Sequence, residues 1–299
     1  MSSYIRVALL FGVLTGLLLV IGYAIGWYFG DPLTFMLIAL IFAGGLNFCS
    51  YYFSDSIVLK MSRARVISEG DNPVLFGIVR RVAQKANIPM PRVGIVDSPQ
   101  PNAFATGRGP QKSVVVATSS ILQTLNPEEL EAVIGHEIGH VVHRDVLVSS
   151  VAATIAGIIS FIGTSVLWSG MLSGGQRGRN DNGSGLLLLI AAILVPLGAT
   201  FVQLGISRSA EYNADEYGAK LTRNPGSLIS ALEKISSRVN TRPIGTNPTT
   251  APSPSTASLW IVNPFRGSSL LELFSTHPSL THRVQRLHQI GEEIGVYVR

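Results

Sequence analysis

At 299 residues the chain can bury a sizeable core, but with 46% hydrophobic and only 14% charged residues it is too apolar for an ordinary water-soluble domain. Mean hydropathy is +0.36, net charge +5 and pI near 9.5; a nucleic-acid partner is excluded because the basic residues flank apolar runs rather than forming a patch interleaved with aromatics. The single cysteine, Cys49, lies inside an apolar run and permits no internal disulfide.

Val7 to Gly30 carries no charge and as a helix would be ~36 Å long, enough to cross a bilayer. A signal peptide starting at Arg6 is the rival reading, but the run is long for one and a second uncharged run, Pro32 to Ser54, follows at once. Gly30-Asp31-Pro32 is the turn between them, so residues 1–54 read as a transmembrane hairpin with spans at about 7–30 and 32–54. Gly12 and Gly16, then Gly22 and Gly26, have small-residue spacing for close helix packing. Lys60, Arg63 and Arg65 then open a water-facing segment, 55–145, placed on the cytoplasmic side with the N-terminus by the positive-inside rule.

Within that segment Pro73 to Ala86 reads as an amphipathic helix with Leu75, Ile78, Val79 and Val82 inward. Arg92 to Val96 and Ser113 to Ala117 read as valine-rich strands, and Asn102 to Gly107 between them as a strand or exposed edge. A short helix, Ser119 to Leu125, precedes the main motif. Residues 146–206 form a second transmembrane pair, with spans at about 146–167 and 186–206 and an external loop at Ser173 to Gly185. Residues 207–299 return to the cytoplasm, with helices at Arg208–Leu221, Ser227–Val239 and about Thr281–Ile294 and a mobile Pro/Thr/Ser-rich loop at Asn240–Ser258. The class is a mainly α membrane protein with four transmembrane helices and a cytoplasmic α+β domain.

Chemistry concentrates in Gly135-His136-Glu137-Ile138-Gly139-His140. On a helix the two histidines of H-E-x-x-H share a face and can reach one Zn²⁺, with the glutamate beside them to take a proton from water. A helix is favoured locally: Asn126 suits the N-cap, Pro127 the first turn, Glu128 and Glu129 the positive end, and Asn126 with Glu129 has capping-box spacing. A catalytic zinc takes a third protein ligand. His143 on the same helix would lie roughly 10 Å along the axis from His136, too far to share an ion. Glu211 and Asp215 stand out downstream: one could coordinate while the other accepts the far N–H of a ligand histidine, although an ordinary solvated helix face reads equally well.

The H-E-I-G-H helix, Glu211-Tyr212-Asn213-Ala214-Asp215 just past an apolar span, Asn102-Ala103-Phe104-Ala105, and Thr276-His277-Pro278 followed by Arg283 together resemble the HtpX family of membrane-embedded zinc metalloproteases, relatives of the CAAX prenyl proteases. The resemblance covers nearly the whole chain and implies a zincin-like (gluzincin) protease domain with a small edge-strand sheet. It implies one Zn²⁺ per chain on His136, His140 and Glu211, with Glu137 as general base and Asp215 behind a ligand histidine. It also implies that a peptide lies along Asn102, Ala103, Phe104 and Ala105, that His277 assists at the oxyanion, and that Arg283 belongs to the site. A helix-start histidine and an arginine paired with a nearby acid remain the plainer reading of these last two. Thr281 and His282 stand where relatives often carry acidic residues.

The expected activity is zinc-dependent endopeptidase cleavage of membrane or misfolded proteins, in membrane-protein quality control or stress response, at the cell membrane. The partners are the lipid bilayer and protein substrates. The alternative is a non-catalytic zinc-stabilised membrane scaffold or adaptor. Glu137 argues against it, because a structural site has no use for a carboxylate beside the metal and would close the fourth position with Cys or His.

Overall fold

The computed structural model describes residues 2–174, 200–201, 207–241, 256, 259–261 and 278–296. Most of the expected fourth span, nearly all of the Ser173–Gly185 loop, most of the Asn240–Ser258 loop and His277 lie outside the described residues.

The two uncharged runs form helices α1 (Ser3–Phe29) and α2 (Pro32–Tyr52), packed as a hairpin. Gly30 caps α1 at φ 82°, the Asp31 carboxylate accepts from the Thr34 N–H, and Pro32 opens α2 where no N–H is required. Of the two small-residue pairs only one sits at the seam: a Cβ on Gly26 would lie 2.6 Å from the Pro32 Cα, whereas Gly12 and Gly16 have open space before them. Apolar side chains such as Trp27 and Ile41 stay 73% and 77% exposed on this hairpin, a surface suited to hydrocarbon.

Two short elements escaped the sequence reading. Helix α3 (Ser54–Met61) starts directly behind α2, so the pattern shows no break, and strand β1 (Arg65–Ile67) is too short for alternation to register. Helix α4 (Pro73–Lys85) is capped by Asn72, whose side chain accepts from the Leu75 N–H. Leu75, Ile78, Val79 and Val82 are all buried, as their 3.6-residue spacing requires, each contributing ~1.5–3 kcal/mol of burial free energy.

Strands β2 (Arg92–Val96), β3 (Ala103–Gly109) and β4 (Lys112–Thr118) complete a mixed sheet in the order β1-β2-β4-β3. Strand β2 runs parallel to β4, and β3 pairs antiparallel with β4. Strand β3 is therefore an edge in hydrogen bonding. Its residues are nonetheless buried, backbone included, from Asn102 through Gly107, because helices cover them; the expected exposed edge is a covered one.

Helix α5 (Ser119–Thr124) leads into α6 (Pro127–Val142), which carries the motif. Arg144, at φ 60°, makes the sharp turn into α7 (Asp145–Gly174). That helix continues beyond the end expected near Leu167 and takes in the first residues assigned to the external loop; an uncharged run offers no stop signal. Its first half does not face lipid: Leu147, Val148, Val151 and Ile155 pack with Val7, Leu10 and Leu14 of α1. Among the described residues three helices are long and apolar enough to cross a membrane, α1, α2 and Asp145–Ser165 of α7.

Helices α8 (Arg208–Thr222), α9 (Pro225–Thr241) and α10 (Leu280–Glu293) follow close to their expected places. One core joins Leu75, Val79, Val115, Val133, Leu232 and Leu287 from α4, β4, α6, α9 and α10. Apart from the three long apolar helices, the described residues thus form a small sheet with helices packed around α6.

Candidate metal centre

Helix α6 is fixed first at its start. The Asn126 side chain accepts from the Glu129 N–H at 2.8 Å, and Glu129 returns a bond to the Asn126 N–H at 3.0 Å. The same carboxylate accepts from Ser230 Oγ and Lys234 Nζ, both at 2.6 Å, fastening α6 to α9. Further along, α6 and α8 approach so closely that their contact is made of glycine. A Cβ on Gly218 would sit 2.6 Å from the His136 N, and one on Gly139 would sit 3.1 Å from the Ala214 Cα. This close approach brings Glu211 and Asp215 onto the motif's two histidines.

His136 Nε2 lies 3.9 Å from Glu211 Oε2, and His140 Nε2 lies 3.4 Å from Glu211 Oε1. One donor atom from each of the three residues falls within 4.8 Å of the others, and together they could hold a metal ion. His136 and Glu211 are buried and His140 is partly so, on the wall of a cleft that Glu137 also lines. His136 Nδ1 donates to Asp215 Oδ1 at 2.9 Å, which fixes the tautomer and turns the Nε2 lone pair toward Glu211. Asp215 is in turn clamped by Arg283, which donates from Nε at 2.8 Å and from Nη2 at 2.6 Å. Arg283 reaches on to Glu211 Oε2 at 3.6 Å and donates from Nη1 to the Ile261 carbonyl at 3.1 Å.

Burial alone would raise Asp215; the Arg283 guanidinium outweighs it and holds the carboxyl below the usual range. Burial also dominates at His136 and lowers it against the pull of Asp215, leaving the neutral imidazole that a metal ligand must be. At His140 burial is outweighed by the carboxylates of Asp145 and Glu211, which raise it to about 10. Glu137 is pushed up to about 8, chiefly by burial, with Glu211 adding to the rise and His140 opposing it. The Ala105 N–H on β3, beside the Glu137 carboxylate, opposes that rise.

The sequence-selected residues thus meet in one place: His136, Glu137, His140, Glu211, Asp215 and Arg283 form one cluster, with Phe104 and Ala105 in the same cleft. His143 caps α6 outside that cluster, its ring 5.4 Å from that of Tyr217. Asn102, expected to meet substrate, spends its side chain on the backbone of Leu259 and Ile261. Two contributors were missed. Asp145 stands 3.9 Å from His140 Nδ1 and pairs with Arg6 of α1 at 3.4 Å; its place just past the motif helix was the available signal, but the turn at Arg144 that swings it back was not legible. The segment Leu259–Ile261 lines the cleft and has no motif at all.

A histidine pair on one helix, a facing carboxylate from another and apolar spans alongside define the class of membrane metallopeptidases. Residues 70–291 match the model of peptidase family M48. The chain is 47% identical to a protease HtpX homolog of Pyrococcus furiosus over 98% of both chains. It is 44% identical to one of Thermococcus kodakarensis over 98% of both, and 44% identical to one of Syntrophobacter fumaroxidans over 97% of this chain and 100% of that one. A distant likeness, at TM-score 0.47 and 17% identity, links 95% of this chain to 65% of the chain in a crystal structure of S. mikatae Ste24p. The chain belongs to peptidase family M48 and, within it, to the HtpX proteases.

Proposed function

We propose that this membrane protease is a zinc-dependent endopeptidase that cuts membrane or misfolded proteins at the membrane surface, in membrane-protein quality control or stress response. The observation that carries the reading is the convergence of His136, His140 and Glu211 in the cleft that Glu137 lines. Two imidazoles and one carboxylate suit Zn²⁺, and three protein ligands rather than four are what a catalytic site requires. His136, His140 and Glu211 hold the ion, one per chain, with Asp215 and Arg283 fixing the His136 tautomer behind it.

When bound, Zn²⁺ supplies Lewis acidity, drawing the pKa of water toward ~7 and polarising a peptide carbonyl. Glu137 takes the proton of the attacking water and passes it to the leaving amine. The substrate lies as an added strand against the Asn102–Ala105 edge of β3, of which Phe104 and Ala105 line the cleft. His277 is assigned to the oxyanion on the family resemblance.

The basic residues Arg6, Lys60, Arg63 and Arg65 support a multi-pass topology with four spans, both termini and the protease domain being cytoplasmic. The domain boundaries follow from it: spans in 1–54 and 146–206, protease parts in 55–145 and 207–299.

The test is zinc content and cleavage of a casein-type unfolded substrate in detergent, for the wild type, Glu137→Gln and Glu211→Ala. Glu137→Gln is expected to keep about one zinc without cutting, and Glu211→Ala to lose metal and activity together. A Glu137→Gln protein that cleaves at the wild-type rate removes Glu137 from the mechanism.

A further inference from the structure

The side chain of Asn102, at the head of β3, is 1% exposed and is not free to meet a substrate. Its Oδ1 accepts from the Ile261 N–H at 3.0 Å, and its Nδ2 donates to the Leu259 carbonyl at 3.3 Å. The Ile261 carbonyl is taken by Arg283 Nη1 at 3.1 Å. Both backbone groups of Ile261 are therefore engaged, one by the edge strand and one by the arginine that clamps Asp215. Three bonds on so short a segment hold it in one place. Leu259, Trp260 and Ile261 are all buried and line the cleft together with Phe104, Ala105 and Glu137.

From this we infer that Leu259–Ile261 is the second wall of the peptide cleft, that Asn102 is the positioning residue that sets it, and that Trp260 determines which side chain fits beside the scissile bond. The inference rests on the protease reading and deepens it. Backbone pairing along an edge strand accepts any sequence, so selectivity comes from the side chains that line the cleft. The side chains of Leu259–Ile261 are apolar, and the largest of the three is the Trp260 indole. A bulky, rigid ring in a buried wall leaves room for small and medium apolar side chains and excludes aromatic ones.

The experiment is a peptide-library cleavage profile with zinc-loaded full-length protein in detergent, for the wild type, Trp260→Ala, Trp260→Phe and Asn102→Ala. Binding of one uncleaved library peptide is measured in parallel in the Glu137→Gln background. Trp260→Ala is expected to shift kcat/KM toward aromatic residues at one position by ~10-fold or more, with Trp260→Phe restoring most of the wild-type profile. Asn102→Ala is expected to raise KM and weaken peptide binding ~10-fold at unchanged zinc content, because the wall loses two of its three anchors. Should Asn102→Ala fold poorly, the Trp260 pair decides alone. A wild-type profile in Trp260→Ala overturns the wall. A wild type that cuts no peptide overturns the protease reading, and this inference with it.

Discussion

Glu129 and Glu137 lie on the same helix, a little over two turns apart, and both are nearly inaccessible, at 3% and 5% exposure. Burial penalises the charge of each, yet the two end on opposite sides of the ordinary glutamate range. Glu129 falls below it, because Lys234, Ser230 and the Asn126 N–H outweigh desolvation. Glu137 rises to about 8, because burial outweighs His140, Arg283 and the Ala105 N–H. The difference teaches that depth and hydrogen-bond partners act together: Glu129 is ringed by donors near the edge of the core, whereas Glu137 lies far deeper with fewer donors and so holds its proton more tightly.

The comparison breaks most visibly in turnover. Glu137→Gln is expected to lower kcat by ~10²–10⁴-fold with zinc retained, whereas Glu129→Gln leaves the chemistry of the cleft untouched; peptide hydrolysis of zinc-loaded protein measures both. Next comes metal affinity. Asp215→Ala removes the acceptor that orients His136 and should weaken zinc binding by ~10–100-fold in a competition titration, an effect neither glutamate substitution reproduces. Zinc binding should also strengthen by roughly tenfold per pH unit between pH 6 and 9, since His140, raised to about 10, must give up its proton to bind metal.

Stability carries the smaller effects, and there the two glutamates should differ in sign. The folded pKa of Glu129 is depressed, so its contribution is present above the unfolded value of ~4.3 and fades as pH falls through the folded pKa. Glu129→Ala is expected to cost ~1–3 kcal/mol at pH 7 in thermal unfolding, and less at acid pH. The folded pKa of Glu137 is raised, so its favourable contribution is full below the unfolded value and is lost as pH rises through about 8. In chelator-treated protein, Glu137→Gln should therefore gain in melting temperature relative to wild type as pH rises from 5 to 9. A gap that stays constant over that range would show that Glu137 is not held in its protonated form.

Much of this was legible in the residues. The capping box at Asn126 and Glu129, the apolar period of α4, the turn at Gly30-Asp31-Pro32 and the spacing of His136 and His140 are local rules, and local rules survive in sequence. The alternation of β2 and β4 was legible for the same reason, whereas the covered state of β3 was not, because helices distant in sequence supply the cover. From the residues alone the pairing of Glu211 and Asp215 with the motif stood even with a solvated helix face. The glycine contact between α6 and α8 is what brings them to His136.

By itself, then, the sequence determined which segments are apolar enough for a membrane, which helix bears the two histidines, and that a glutamate stands between them. Only the tertiary structure decided that Asp145 faces His140, that Asn102 holds a wall of the cleft, and that Glu129 and Glu137 have opposite electrostatic fates. Helical period and capping are set within a few residues, but a carboxylate's pKa and a side chain's partners are set by what the rest of the chain packs against it.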